Sequence, residues 1–380
     1  MDLACSRDEL TKAVKIVSRA LGSGSTMPIL AGIKLEVLKN TLRLYATDLE
    51  RAIQCAIPCE NRAEDETLIL NGEILSKITS VLPDERVKLK TVGDKVEIAC
   101  GAAKFDLFTM PLEDYPEIPA LPQNKICALE KEKLQRGLEQ TTFAALSARE
   151  TSRLSLTGVD MVFDSSAAGS TLKLVATNGY RLALKALSAP HSASAEYLVN
   201  ADSLKDLSSI LAQIEAQKVE IFEEGSHLFF KAGQIVFASR LIAEEYPDFE
   251  KVIPKENKIG LALDRQAFLD ALLRVSITTA EESGAVILRV EGGTAAGSTL
   301  FLRSQAAEKG ETEERVSLKK PIEEITVSFK AEYLIDALKR MSSSEVTFWL
   351  ADAESAGLLE PADSEEDSGF IYVCMPIRLD

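Results

Sequence analysis

The side chains that most often carry catalysis are few and scattered in this sequence. Its 380 residues include two histidines, His191 in a Pro/Ser/Ala loop and His227 beside an expected hairpin turn. Neither stands near a Cys or Ser in a nucleophile motif. Leu21-Gly22-Ser23-Gly24-Ser25-Thr26 is glycine-rich but lacks the lysine of a phosphate loop. Asp48 and Glu50 read as turn residues rather than an acid–base pair. Cys5, Cys55, Cys59, Cys100, Cys127 and Cys374 are dispersed along a long chain, so buried, reduced thiols are expected. Cys55 and Cys59 share a face on an extended strand, but no His or further Cys lies near to complete a metal site. The reading is a non-enzyme with no metal and no cofactor.

The residues that do form a pattern are basic. Lys12, Lys15 and Arg19 recur at i, i+3 and i+7, a stripe opposite the apolar face of an expected helix. Lys133 and Arg136 repeat the i, i+3 pairing. Lys77, Lys205, Arg265, Arg274, Lys339 and Arg340 lie on other expected helices. Acids on the same helices cluster in first turns, as Asp8, Glu9, Glu73, Asp202 and Glu332 do, where they suit the helix dipole. Asp206, Asp270 and Asp336 interrupt that pattern. Any one such helix, taken alone, reads first as a solvated face. The repetition favours a surface for phosphates, which are contacted without reading sequence. The chain as a whole is acidic, with 43 Lys+Arg against 59 Asp+Glu and a net charge of −16. That balance excludes a tight groove-filling nucleic-acid binder but not a local basic lining within an acidic exterior. No apolar run is long enough to span a bilayer, and Leu3-Ala4-Cys5 has no apolar stretch before it. A cytoplasmic protein without a membrane partner is expected.

The helices belong to a unit that occurs three times. Thr41-Leu42-Arg43-Leu44 returns as Thr171-Leu172-Lys173-Leu174 and as Thr299-Leu300-Phe301-Leu302. Each alternates like a half-buried strand. Ala46-Thr47-Asp48 matches Ala176-Thr177-Asn178, while the third copy diverges to Gln305-Ala306-Ala307. A helical marker starts at Asn71, Asn200 and Lys330 and carries Ile78, Val81 and Leu82, then Leu207, Ile210 and Leu211, then Ala337, Leu338 and Met341 on one stripe. Val87-Lys88-Leu89, Val219-Glu220-Ile221 and Val346-Thr347-Phe348 follow and open hairpins, with turns expected at Gly93-Asp94 and Glu224-Gly225. Each unit opens on a helix: Ser6 caps the first with Glu9 three residues on, ahead of Leu10, Ala13, Val14, Val17 and Leu21. Leu134, Leu138, Thr141 and Ala145 form the second face, and Phe268, Ala271, Leu272 and Val275 the third, starting from Asp264. The fold class is α+β, three similar domains each with two helices on antiparallel sheets. Breaks at Pro-containing segments give domains at 1–121, 122–253 and 254–380.

Five segments resemble the bacterial beta sliding clamp family, the DNA polymerase III beta subunit, over essentially the whole chain. They are Ser25-Thr26-Met27-Pro28-Ile29-Leu30, Ala46-Thr47-Asp48-Leu49-Glu50, Ala176-Thr177-Asn178-Gly179-Tyr180-Arg181-Leu182-Ala183, Tyr246-Pro247-Asp248-Phe249-Glu250-Lys251-Val252-Ile253-Pro254 and Met375-Pro376-Ile377-Arg378-Leu379. The resemblance implies a clamp fold in a ring-shaped head-to-tail homodimer around double-stranded DNA, a processivity factor without catalysis of its own. It places Phe105 and Leu107, on an edge strand, and Leu272 and Leu273 at the dimer interface, although Phe105 and Leu107 read equally as core. It also implies a pocket for short linear peptides from the polymerase alpha subunit, the clamp loader, other polymerases and repair proteins. That pocket would use Leu156, Thr177, Gly179, Tyr180, Arg181, Leu182, Pro247, Lys251, Val252, Val373, Met375, Pro376, Ile377, Arg378 and Leu379. Met and Leu suit an adaptable floor, and Arg181, Lys251 and Arg378 suit a rim for carboxylates or carbonyls.

The chain departs from the family pattern in four places. It ends on Asp380, one residue late, and has Ser155 where an aromatic often stands. The loop Gly22-Ser23-Gly24-Ser25 carries no Arg. The acidic stretch from Glu360 to Asp367 reads as an exposed, mobile hairpin tip with no specific role. The rival readings are a repeated metabolic enzyme, which would need a pocket of titratable groups, and a non-catalytic scaffold that does not encircle DNA.

Overall fold

The computed structural model describes residues 1–22, 27–83, 85–166, 169–191, 193–291 and 298–378. Two compact units emerge, Met1–Glu132 with Asp206–Leu241, and Lys133–Lys205 with Ile242–Asp380. Six α-helices occur among the described residues: α1 (Arg7–Val17), α2 (Gly72–Ser80), α3 (Lys131–Thr141), α4 (Ala201–Leu211), α5 (Arg265–Val275) and α6 (Ala331–Leu338). They form the expected pairs, one at the start and one in the middle of each repeat.

Local chemistry sets their starts. Ser6 accepts from Glu9 N at 3.4 Å, Asn71 from Ile74 N at 3.0 Å, Asn200 from Ser203 N at 3.2 Å and Asp264 from Ala267 N at 2.7 Å. Each satisfies an amide that the helix leaves unpaired. The apolar stripes of α1 and α5 turn inward: Leu10, Ala13, Val14 and Val17 in α1, and Phe268, Ala271, Leu272 and Val275 in α5, are buried. In and just after α2, Ile78 and Leu82 are buried, but Val81, expected on the same stripe, is exposed where the helix ends. The Gly93-Asp94 turn falls where expected, between Val92 and Lys95. The second turn lies one residue later than expected, at Gly225-Ser226, since Glu224 already pairs with His227. Gly225 has φ 59°, which places the left-handed residue first in the turn.

In the first unit one antiparallel sheet of 13 strands runs through both chain segments. The strand Arg51–Pro58 pairs with Ile235–Arg240, Arg51 standing opposite Ser239 and Cys55 opposite Ile235. The second unit holds a sheet of eight strands and one of four. Within the eight, Arg181–Ser188 pairs with Phe370–Cys374, Arg181 opposite Cys374. These two pairings occupy the same place in successive repeats, where a strand following the Thr-Leu-x-Leu hairpin takes the last strand of the next repeat. Arg240 N donates to Glu50 O at 2.8 Å in one, and Met375 N donates to Tyr180 O at 2.8 Å in the other.

The acidic stretch exposes Asp363, Glu365 and Glu366, but its last residue is withdrawn from water. Asp367 is fully buried and accepts from Arg136 Nη2 at 2.8 Å, Gln140 Nε2 at 2.7 Å, Ser342 N at 2.6 Å and Ser343 N at 2.9 Å. Asp363 accepts from the hydroxyls of Ser343 and Ser344, which holds its carboxyl down at about 2. A buried carboxylate is tolerated because four donors replace its water. Charge density in sequence suggested a solvated tip throughout, and these donors, remote in sequence, are why Asp367 is the exception.

Close packing is tight at Gly357, where an added Cβ would meet the Phe348 ring at 2.5 and 2.7 Å and Phe329 at 3.1 Å. Both rings are buried and have no room to retreat. Gly357→Ala should lower stability by about 1–3 kcal/mol, read as a lower denaturant midpoint for the second unit at an unchanged slope.

Candidate docking face and nucleic-acid face

In the second unit, pairing of Arg181–Ser188 with Phe370–Cys374 brings Val175, Leu182, Leu184 and Val373 into one buried apolar cluster, flanked by Tyr246, Phe249, Ile253, Leu358 and Ile371. The turn above it is built by side chains. Thr177 Oγ1 accepts from Gly179 N at 3.1 Å and donates to Arg181 O at 2.7 Å, while Asn178 Oδ1 accepts from Tyr180 N at 3.0 Å and Arg181 N at 2.9 Å. Gly179 has φ 87°, a conformation glycine adopts without strain. The outcome is an exposed Tyr180, at 66%, with Met375, at 43%, hydrogen-bonded through its amide to the same turn. Large apolar side chains in water above a buried apolar floor form a surface suited to an apolar anchor residue.

The expected pocket residues divide by depth. Leu182 and Val373 form the floor, and Leu156 is buried in the short helix Leu154–Thr157. Thr177 shapes the turn. Pro247, Lys251 and Val252 are exposed around the short helix Phe249–Lys251, where Lys251 pairs with Asp248 at 2.8 Å. Pro376 and Ile377 are half-buried, Ile377 N donating to Ser328 O at 2.8 Å. Arg378 is exposed and lies 3.5 Å from Glu354. Leu379 and Asp380 lie outside the described residues.

Arg181 is not a rim residue. Its side chain is 11% exposed, pairs with Asp336 at 2.7 Å and donates to Phe143 O at 2.8 Å. Its guanidinium also stacks on Tyr333. Both terminal nitrogens are engaged and Nε is buried, so the guanidinium presents no fork to solvent. The residue reading missed Tyr246 and Phe249 as flanking groups, although Tyr246-Pro247-Asp248-Phe249 was already visible as a motif. Leu358 and Ile371 gave no such signal, because alternation alone does not say which sheet face a neighbouring repeat will cover.

The basic residues also divide. Lys12, Lys15, Lys133 and Lys339 are exposed. Lys77 pairs with Glu73 at 2.5 Å and Lys205 with Asp202 at 2.9 Å, and both remain exposed. Arg274 pairs with Glu314 at 2.6 Å. Four further arginines expected to face DNA are engaged elsewhere. Arg136 holds Asp367, and Arg265 donates to Ser343 O at 2.8 Å and Leu338 O at 3.2 Å. Arg340 donates to Asp336 O at 2.8 Å and lies over the Phe143 ring. Arg19 pairs with Asp206 at 2.8 Å. Lysines on flexible stems keep their charge in water, whereas the planar fork of an arginine reaches separate partners at once, as Arg136 and Arg265 do here. Of the expected interface residues, Leu272 is fully buried in its own repeat and has no surface to offer; Leu273 is exposed, as is Ile277 one turn on. Phe105 is half-buried and Leu107 nearly buried, with Phe108 exposed beside them.

Among the described residues no group of His, Cys, Asp and Glu could hold a metal, and no helix is long and apolar enough to cross a membrane. Three repeats sharing strands across their joints, with an apolar face where the last strand docks, define a clamp-type architecture. Residues 1–119, 128–248 and 250–378 match the N-terminal, central and C-terminal domains of the DNA polymerase III beta subunit. The chain belongs to that family. It is 30% identical to the beta sliding clamp of Pseudomonas putida over 382 residues and 27% identical to that of Bacillus subtilis over 389, covering all of both chains in each case. Solved structures agree over their full lengths and over this whole chain: the Thermotoga maritima beta subunit at TM-score 0.90 and 26% identity, and a Pseudomonas aeruginosa sliding clamp bound to griselimycin at 0.91 and 27%.

One buried carboxyl bears on the docking face. Asp160 is almost fully buried, and burial, reinforced by Glu196, raises its pKa to about 7. Tyr246, from the apolar cluster, is close enough to feel its charge, and neither Asp160 Oδ1 nor Tyr246 Oη has a hydrogen-bond partner. An unfolded aspartate titrates near 4, so the folded state binds the proton more tightly. The stabilising contribution is complete below about pH 4 and is lost as pH rises through 7. Asp160→Asn should therefore be more stable than the unmodified protein at pH 8, with the difference shrinking towards pH 5, as read from thermal midpoints across that range.

Proposed function

We infer that the protein is a DNA sliding clamp of the bacterial replicative polymerase, which closes as a head-to-tail pair of chains around duplex DNA. The observation that carries this is a pair of strand edges. Within the chain, Arg51–Pro58 and Arg181–Ser188 each take the last strand of the next repeat. The third strand of that kind, Gly310–Ser317, is the edge of its sheet. The last strand of the first repeat, Ala103–Met110, pairs along its length with Lys95–Cys100 but on its other side only through Thr109 and Met110. Continuing the same rule between two chains sets Leu107 opposite Gly310 and Lys104 opposite Glu313. That contact is heterologous, and it closes after two chains if the six joints are alike. Phe105, Phe108, Leu273 and Ile277 supply apolar surface for it.

On this reading Lys12, Lys15, Lys133, Lys205, Lys77 and Lys339 line the path of the duplex. They offer phosphates mobile, sequence-blind charges, and the net charge of −16 keeps DNA from other surfaces. Retention comes from enclosure, so strong contacts are not required. The polymerase alpha subunit, clamp loader, other polymerases and repair proteins dock short peptides on the Tyr180 and Met375 face. The protein acts in the cytoplasm at the nucleoid, catalyses no reaction and confers processivity. Domain limits of 1–121, 122–253 and 254–380 are proposed for the three repeats.

Clamp loaded onto nicked circular DNA should be retained and should leave once the circle is cut. A non-encircling scaffold would not show that dependence. Lys12→Glu with Lys15→Glu should shorten retention at least severalfold at moderate salt without changing dimer mass; Arg19 is left in place because it holds Asp206. Removing residues 375–380 should abolish binding of a polymerase-derived peptide in fluorescence anisotropy, and unchanged affinity would remove the docking proposal.

A further inference from the structure

The two joints within the chain carry the same ion pair. Arg51, the first residue of its strand, pairs with Asp206 at 2.6 Å. Arg181, at the same place one repeat on, pairs with Asp336 at 2.7 Å. Asp206 and Asp336 are each the sixth residue of the mid-repeat helix of the next repeat, α4 and α6. Each arginine has a second anchor on its own side, Asp48 at 3.1 Å for Arg51 and Phe143 O at 2.8 Å for Arg181. Each aspartate meets a second arginine, Arg19 at 2.8 Å or Arg340 at 3.8 Å. All four side chains of the two pairs are largely withdrawn from water, between 11% and 28% exposed.

The third joint has neither half of the pair. Strand registers fix the comparison. Thr41 faces Pro58, Thr171 faces Ser188 and Thr299 faces Ser317. Gly310 therefore stands where Arg51 and Arg181 stand. It has φ 89° and no side chain to cross the joint. The neighbouring Lys309 is turned back to Thr279 O at 3.2 Å. The sixth residue of α2 is Lys77, a cation where the other helices carry an aspartate, and it pairs with Glu73 on its own helix.

We propose that the Arg51–Asp206 and Arg181–Asp336 ion pairs are latches that hold the two joints within each chain shut, and that the joint between chains is left unlatched. Strain applied to a closed ring then concentrates at the joint whose strand pairing and apolar contacts have no such ion pair behind them. Partly buried pairs lie between the small effect of exposed ones and the large effect of breaking buried ones, so each latch is a positioning device rather than the source of the fold. This inference rests on the clamp reading only for the third joint; the two latches are defined within one chain.

Native-state amide exchange of the full-length protein, followed by mass spectrometry where sedimentation shows dimers, tests this. Asp206→Asn should speed exchange about tenfold in Arg51–Pro58 and Ile235–Arg240 while leaving Arg181–Ser188 unchanged. Asp336→Asn should do the reverse, in Arg181–Ser188 and Phe370–Cys374. Gly310–Ser317 should exchange fastest of the three strands in the unmodified protein and respond to neither substitution. Should Asp206→Asn not fold, Arg51→Gln reads the same joint. Unchanged exchange at the edited joint, or an equal rise at all joints, overturns the latch proposal. A chain that sediments only as a monomer defeats the ring reading instead, with the effects at the two internal joints still measured.

Discussion

A backbone strand at the edge of a sheet exposes unpaired donors and acceptors, and it must be blocked, covered or paired. Here two such edges are paired by the next repeat of the same chain, through Arg51–Pro58 and Arg181–Ser188. Much else in the molecule depends on that pairing. It brings Val373 against Leu182 and Leu184, and it sets Met375 beside the Tyr180 turn. It also leaves Gly310–Ser317 and most of Ala103–Met110 with open sides. A docking face thus follows from one structural rule applied twice within the chain, with different side chains at each application, and the assembly contact we propose is its third use.

Charge is divided between two tasks. Exposed lysines remain as diffuse positive surface, while Arg19 and Arg136, first grouped with them, and Arg51 and Arg181 link elements: Arg19 and Arg51 to Asp206, Arg136 to Asp367, Arg181 to Asp336. The chemistry fits the division. A guanidinium presents a rigid fork that fixes geometry, and an ammonium on a long stem supplies charge with little geometric demand. A surface on which DNA slides benefits from the second, and a joint between repeats benefits from the first.

Much of this was legible in the sequence because repetition is a long-range signal. The Thr-Leu-x-Leu strands, the asparagine caps and the hairpins after them located the helix pairs and the class of fold without reference to tertiary contacts. Single-residue roles were harder to read. Arg181, Arg136 and Arg340 carry the same charge as Lys12 and Lys15, and only partners hundreds of residues away in some cases decide that they turn inward. Asp206 and Asp336 looked like interruptions of a basic pattern; their meaning lies in Arg51 and Arg181 across a joint. Asp367 looked solvated for the same reason. Leu272 and Leu273 are adjacent and equally apolar, and helix phase alone puts the first in the core and the second in water.

A closed ring depends above all on the backbone register between two chains. Disulfide trapping of Lys104→Cys in one chain against Glu313→Cys in another reads that register, since the six native cysteines are buried. The account predicts a covalent dimer when the two singly substituted proteins are mixed and oxidised, and a doubly linked dimer when both substitutions share a chain. Absence of any link between chains at concentrations that saturate DNA loading would contradict it.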